Sequence, residues 1–233
     1  MTTLVTGGLG FIGSYLIEKL RGEIAIIDNC SNNCIGPEDV KYKRVYVGSL
    51  SSLLDHGFGE HEYDYIYHLA SPVGPAGILK YAGEMASMII NDTKRIAEVA
   101  LETNAKLLYV SSSEVYGKNP RNIRQKEDID KIVPADITIR LEYGVSKLLA
   151  EIVLMNIAKT NPLKFNIIRP FNVCGLRQRS DAGFVFPRFT EQAKANQPLT
   201  VFWDGKQIRC FTYVKDVVNA MIRIMESNIN GEV

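Results

Sequence analysis

The chain has 233 residues, 46% hydrophobic and 23% charged, enough for a sizeable core in one large domain or a domain with a partial second lobe. With 27 basic side chains against 26 acidic, a net charge of +1 and no run of like charges, nothing marks a nucleic-acid or membrane surface. No apolar run approaches the roughly 20 residues of a membrane span, and Met1-Thr-Thr-Leu-Val-Thr-Gly-Gly enters a strand without a basic leader, so a cytoplasmic protein is expected.

Short apolar runs alternate with amphipathic stretches along the chain: Thr3–Thr6, Phe11–Leu20, Ile24–Asp28, Arg44–Val47, Tyr63–Ala70, Met85–Leu101, Lys106–Ser111, Glu142–Lys159 and Phe165–Pro170. This alternation is the signature of βαβ units, and strand runs such as Ile-Ala-Ile-Ile are apolar on both faces, as central parallel strands are. Val145, Leu148, Leu149, Ile152 and Met155 recur at helical spacing and predict one buried helix face. After Asn172 come a polar loop, a short helix, a strand at Leu199–Trp203 and the run Ile208–Val214. Cys30, Cys34, Cys174 and Cys210 read as reduced thiols. Cys30-x-x-x-Cys34 has no second ligand pair, and His56, His61 and His68 are scattered, so no metal is expected.

Gly7-Gly8-Leu9-Gly10-Phe11-Ile12-Gly13 follows the first strand and opens the first helix. Glycine permits the tight turn and lets backbone N–H groups approach a pyrophosphate at the helix N-terminus, where the dipole favours negative charge. Gly7, Gly10 and Gly13, with Phe11 and Ile12 between them, are therefore candidate cofactor contacts. The second strand ends at Asp28, where a carboxylate can accept both hydroxyls of an adenosine ribose. An acid there repels a 2′-phosphate, which favours NAD over NADP; a simple cap is the competing reading of Asp28.

These residues resemble the extended short-chain dehydrogenase/reductase family, in its NAD-dependent nucleotide-sugar epimerase/dehydratase branch with UDP-glucose 4-epimerases and UDP-glucuronate decarboxylases. The resemblance implies an α/β, doubly wound parallel sheet of Rossmann type. Residues 1–172 would be the NAD-binding domain, and 173–233 the start of a substrate lobe mixed with returning Rossmann elements. Asp28-Asn29-Cys30-Ser31-Asn32 is similar to the family's ribose loop, which implicates Asn29 and Ser31. His68-Leu69-Ala70-Ser71 is similar to the strand end under the cofactor, which implicates Leu69, Ala70 and Ser71. At Gly48-Ser49-Leu50 an aspartate that usually contacts adenine is missing; Ser49 can still hydrogen-bond, with Leu50 beside it. Arg169 is counted with the cofactor contacts as well.

Tyr143 and Lys147, four apart, share a helix face, and a nearby ammonium favours the phenolate that a base requires. The resemblance assigns Lys147 to the nicotinamide ribose. In Ser111-Ser112-Ser113-Glu114-Val115-Tyr116-Gly117 it assigns Ser113, or its neighbour Ser112, to the sugar hydroxyl whose proton Tyr143 takes while hydride passes to the nicotinamide. Glu114 in this form resembles uronate decarboxylases, and it also reads as a solvated turn residue; no Asp precedes it, which disfavours a dehydratase.

Arg169-Pro170-Phe171-Asn172 resembles the segment whose asparagine meets the substrate diphosphate. Phe184–Phe189 and Leu199–Phe202 resemble segments bracketing the base, making Arg188 and Val201 candidates, and Arg209 matches an arginine that grips the diphosphate. Cys174 and Leu176 depart from the usual tyrosine and proline. Relatives continue beyond Val233, so the lobe is left incomplete or is completed by a partner. The implied activity is modification of a nucleotide-diphosphate sugar through a 4-keto intermediate, with epimerisation first, uronate decarboxylation second and 4,6-dehydration third. The alternative is an NAD-binding regulator without turnover. A homodimer through Met85–Leu101 and Glu142–Lys159 would use Met88, Ile89 and Leu154.

Overall fold

In this computed structural model, the structure describes residues 1–41, 43–55, 62–118, 124–202 and 204–233. The strands β1 (Thr2–Thr6), β2 (Glu23–Asp28), β3 (Arg44–Val47), β4 (Tyr65–His68), β5 (Lys106–Val110) and β6 (Lys164–Ile168) form one parallel sheet in the order β3-β2-β1-β4-β5-β6. The order reverses between β1 and β4, which opens a crevice at the carboxyl ends of these strands. Helices α1 (Phe11–Lys19), α2 (Leu50–Asp55), α3 (Gly74–Lys80), α4 (Met85–Glu102) and α5 (Ile139–Thr160) make the crossovers.

Alternation along the strands divides the apolar side chains between two cores. Leu4, Ala25, Ile27, Leu107 and Tyr109 pack on the side of α4 and α5, while Val5, Ile24, Ile26, Leu108 and Val110 pack against α1 and the last helix. A strand buried on both faces must be apolar at every position, and that is why these runs read as continuous. Beyond β6 the chain forms β7 (Val173–Cys174), α6 (Val185–Lys194), β8 (Thr212–Tyr213) and α7 (Val214–Glu226), with β7 and β8 paired in parallel. Helix α7 returns to the main sheet and buries Val214, Val218 and Met221.

Lys106 locks α7 in place. Its Nζ donates to the carbonyls of Ile224 at 2.8 Å, Met225 at 3.2 Å and Ser227 at 2.7 Å, acceptors that a helix C-terminus otherwise leaves open. Lys106→Met is expected to lower stability by about 1–3 kcal/mol, measured as a lower urea midpoint at unchanged m-value.

Two sequence expectations need correction. The apolar stripe of α5 is split: Val145, Leu149 and Ile152 are 40–45% exposed, Leu148 and Met155 are half-buried with Met155 against the core, and the opposite face buries Tyr143, Lys147, Ala150, Glu151 and Leu154. Helical spacing identifies a stripe but not the side on which the core lies, and here the chemically loaded face won. Leu154 and Ile89 are core residues, and Met88 lines the crevice, so none of the three belongs to an outer seam. The run Leu199–Phe202 forms no strand, and Trp203 lies outside the described residues, as do His56 and His61. Among the described residues, no cluster of three metal-ligating side chains and no helix long and apolar enough to cross a membrane occurs.

Candidate active site

A cavity of about 1270 Å³ opens along the carboxyl ends of the strands, room for a dinucleotide and a second nucleotide together. One end is built by the glycine turn. Gly7 has φ +70° and approaches Ala70 N so closely that a Cβ would lie 2.8 Å from it; a Cβ on Gly13 would sit 2.2 Å from Gly7 O. Any side chain there would displace the turn from the N-terminus of α1. Asp28 accepts from Leu9 N–H and Cys30 N–H, both at 2.9 Å, so it caps the turn while bordering the cavity. Phe11, Ile12, Gly10, Asn29, Ser31, Ser49, Leu50, Leu69, Ala70 and Ser71 also line this end. Ser49 is in addition the cap of α2, its Oγ accepting from Ser52 N–H at 3.3 Å. These residues fit an NAD molecule: the glycine cradle has no room for a Cβ, and the acid stands at the strand end.

At the centre of the cavity stand Ser112, Ser113, Glu114, Tyr143 and Lys147. Ser112 hydrogen-bonds Tyr143, and Ser113 stands beside it on the cavity wall. Burial pushes the phenol up to about 12, opposed by the Ser112 bond and reinforced by Glu114. Lys147 donates to Val110 O at 2.9 Å and lies 4.8 Å from the centre of the Tyr109 ring. Burial brings its ammonium down to about 7 against the pull of Glu151 and Asp92. His68, bonded to Thr6 Oγ1 at 2.7 Å, is held neutral by burial and by the Lys147 charge.

At the far end Asn172, Val201 and Arg209 border the cavity. Asn172, at φ +25°, donates through its amide to Cys210 O at 2.8 Å and so ties the segment after β6 to the one before β8. Arg169 and Arg188 do not line it. The Arg169 guanidinium is committed to Glu151, at 2.9 and 2.6 Å, because a buried carboxylate demands a counter-charge; Arg188 lies over the Phe202 ring. Arg177 pairs with Glu18, while Arg179, held by Asp181, does reach the cavity wall. Sequence reasoning missed Asn91, Asp92 and Arg140, which all line the cavity. The available signal was a cation in the first turn of α5, where the helix dipole disfavours it; Asp92, among Asn91, Thr93, Lys94 and Arg95, carried none.

A model of the NAD-dependent epimerase/dehydratase family matches residues 3–233. The chain belongs to that family. Its members are enzymes, and NAD is the family's cofactor. The chain is 36% identical, over 99% of its length, to a UDP-N-acetyl-alpha-D-glucosaminuronate decarboxylase of Bacillus cytotoxicus, of which it spans 73%. It is 33% identical to UDP-glucuronic acid decarboxylase 1 of Danio rerio and spans 55% of that protein's length. In structure it resembles the UDP-glucose 4-epimerase of Thermus thermophilus in complex with NAD, at a TM-score of 0.85 and 26% identity, covering 100% of this chain and 76% of the other.

Within this epimerase/dehydratase scaffold, Asp92 carries a stability penalty. Burial raises its carboxyl from 3.8 to about 6, with Lys147 opposing. Between these values the folded protein holds a proton that the unfolded chain has released, so stability falls as pH rises through that window and the penalty persists above it. Asp92→Asn is expected to stabilise the protein by about 1–2 kcal/mol at pH 7.5, less than the full shift because Lys147 loses an attracting charge. The gain should vanish below about pH 4, as seen in thermal unfolding at both pH values.

Proposed function

We propose that the chain acts on a nucleotide-diphosphate uronate and removes its carboxyl group, placing decarboxylation ahead of the epimerisation that the sequence alone put first. The observation that carries this reading is Glu114, a carboxylate on the cavity wall close enough to raise the Tyr143 phenol. The resemblance to uronate decarboxylases along almost the whole chain supports it. When bound, NAD supplies the hydride acceptor and later the donor at sugar C4, chemistry that no side chain provides. Tyr143, oriented by Ser112, takes the proton of the C4 hydroxyl and returns it at the end of the cycle. A carboxylate β to the resulting ketone leaves as carbon dioxide, its bonding electrons passing to the C4 oxygen. A water molecule then supplies the proton that replaces the carboxyl group at C5, Glu114 accepting the hydrogen bond that positions that water, and the hydroxide left behind is taken up by the released carbon dioxide as bicarbonate. Asn172 and Arg209 hold the diphosphate, Arg209 as a planar donor, and Phe186 and Phe211 form an aromatic wall, their rings 4.5 Å apart.

The test is incubation of NAD-loaded protein with UDP-glucuronate and UDP-N-acetylglucosaminuronate carrying a labelled carboxyl carbon. Labelled carbon dioxide with a nucleotide-pentose product supports the reading. A product of unchanged mass with inverted C4 would make the chain an epimerase, and NAD binding without turnover would make it a regulator. The outward stripe Val145, Leu149 and Ile152 further supports a homodimer paired through α5. A monomer mass in light scattering at micromolar concentration would remove that part of the reading.

A further inference from the structure

Two carboxylates flank the buried ammonium of Lys147, and they differ in what they touch. Glu151, on the same helix, is 1% exposed and tied to Arg169 by two hydrogen bonds. Asp92, on α4, is half-buried and stands on the cavity wall. Among the described residues its carboxylate accepts no hydrogen bond, and the Lys147 charge is what opposes the effect of its burial. A partly desolvated carboxylate without a hydrogen-bond partner costs stability, and an acid of that kind in a cleft marks a functional position.

Lys147 is in the complementary condition. An ammonium has three donors, and one of them meets Val110 O at 2.9 Å. The neighbours on the sheet do not compete for Asp92. His68, on β4, is neutral and bonded to Thr6 Oγ1, and Tyr109, on β5, presents its ring to Lys147 and bonds Thr93 through its hydroxyl. Open donors and open acceptors therefore share one stretch of wall between α4 and α5. A hydroxyl is donor and acceptor at once, and a vicinal diol offers two of them. A carboxylate beside an ammonium fits that pattern, whereas a phosphate there would be repelled by Asp92. Asp28 borders the other end of the cavity, so a dinucleotide with two riboses meets one carboxylate at each.

We propose that Asp92 is a cofactor-binding residue that accepts a hydrogen bond from a hydroxyl of the nicotinamide ribose while Lys147 donates to the same diol. Together they hold the nicotinamide end of NAD beside Tyr143. This rests on the placement of the nicotinamide next to Tyr143 in the reading above. It explains why an acid is kept beside a lysine with which it forms no close ion pair, at a cost in stability.

The experiment is calorimetric titration of the full chain, and of its Asp92→Asn and Asp92→Ala variants, with NAD, ADP-ribose and ADP. It is run at about pH 7.5, where the Asp92 carboxyl, raised by burial to about 6, is ionised. ADP-ribose keeps the second ribose without the nicotinamide, and ADP lacks both. Asp92→Ala is expected to weaken NAD and ADP-ribose roughly tenfold to hundredfold and to leave ADP within a factor of about two. Asp92→Asn, which keeps one acceptor oxygen without the charge, should lose less. Unfolding midpoints no lower than the parent's are expected in both variants, since each removes a desolvated charge. Unchanged affinities would overturn the assignment, as would equal weakening of all three ligands, which would trace the effect to the fold. Weakening of NAD alone would overturn it as well, by placing the effect on the nicotinamide charge instead of the ribose. A parent protein that binds NAD and ADP-ribose no more tightly than ADP would overturn the nicotinamide placement and the Asp92 contact with it.

Discussion

Tyr143→Phe is expected to lower kcat by about 10²–10⁴-fold while leaving NAD affinity within a factor of about two, since it removes the group that carries the proton and nothing that holds the dinucleotide. The ring is 7% exposed and packs in the core beside Ala150 and Leu154, so phenylalanine fills the same space and the fold should survive. The glycine turn and Asp28 lie at the other end of the cavity and are untouched. Ser112→Ala is the graded counterpart: it deletes the hydrogen bond that favours the ionised phenol, and about tenfold should be lost. With that bond gone, the alkaline rise of the rate should move to higher pH. Parallel turnover and calorimetry decide the matter. A Tyr143→Phe protein that keeps its rate would show that another group moves the proton.

The sheet was legible because strands buried on both faces leave nowhere for polar residues, and because a glycine turn followed by Asp28 permits few other arrangements. The glycine turn and the acid at the end of β2 were legible for the same reason: backbone approach and charge sign are written directly in residue types. Helix α5 was only half legible. Tyr143 and Lys147 marked the face that meets the cavity, yet Val145, Leu149 and Ile152 read as core, since periodicity carries no sign. Arg169 was misplaced because its position beside Pro170 says nothing of a carboxylate 18 residues back in sequence, Glu151, brought next to it by the fold. Asp92 and Arg140 were missed for a related reason, as each is set by a neighbour on another element, Lys147 and Glu114 respectively. The chain after Asn172 was the hardest to read, because short polar segments leave register to tertiary packing.

Glu151 and Arg169 supply the second large effect, on stability and on Lys147 together. Their side chains are 1% and 6% exposed, and the guanidinium also lies 5.1 Å from the Tyr116 ring centre and donates to Glu127 O at 3.0 Å. Removing one partner of such a pair leaves an uncompensated buried charge, costing about 3–5 kcal/mol. The two single variants should not be equal. In Glu151→Gln the guanidinium cannot shed its proton, so the full cost is expected. In Arg169→Met, Glu151 still faces the Lys147 ammonium, whose charge it already supports, and about 2–3 kcal/mol is expected. Replacing both, as Glu151→Leu with Arg169→Met, should return most of the stability because no charge remains buried there. It should not return activity: without Glu151, Lys147, already held near 7, loses its proton at neutral pH and no longer favours the ionised form of the neighbouring phenol. Urea midpoints restored alongside a rate that stays low and recovers toward acid pH would separate the electrostatic role of Glu151 from its role in holding the fold. Restored rate at neutral pH would show that the pair acts through stability alone.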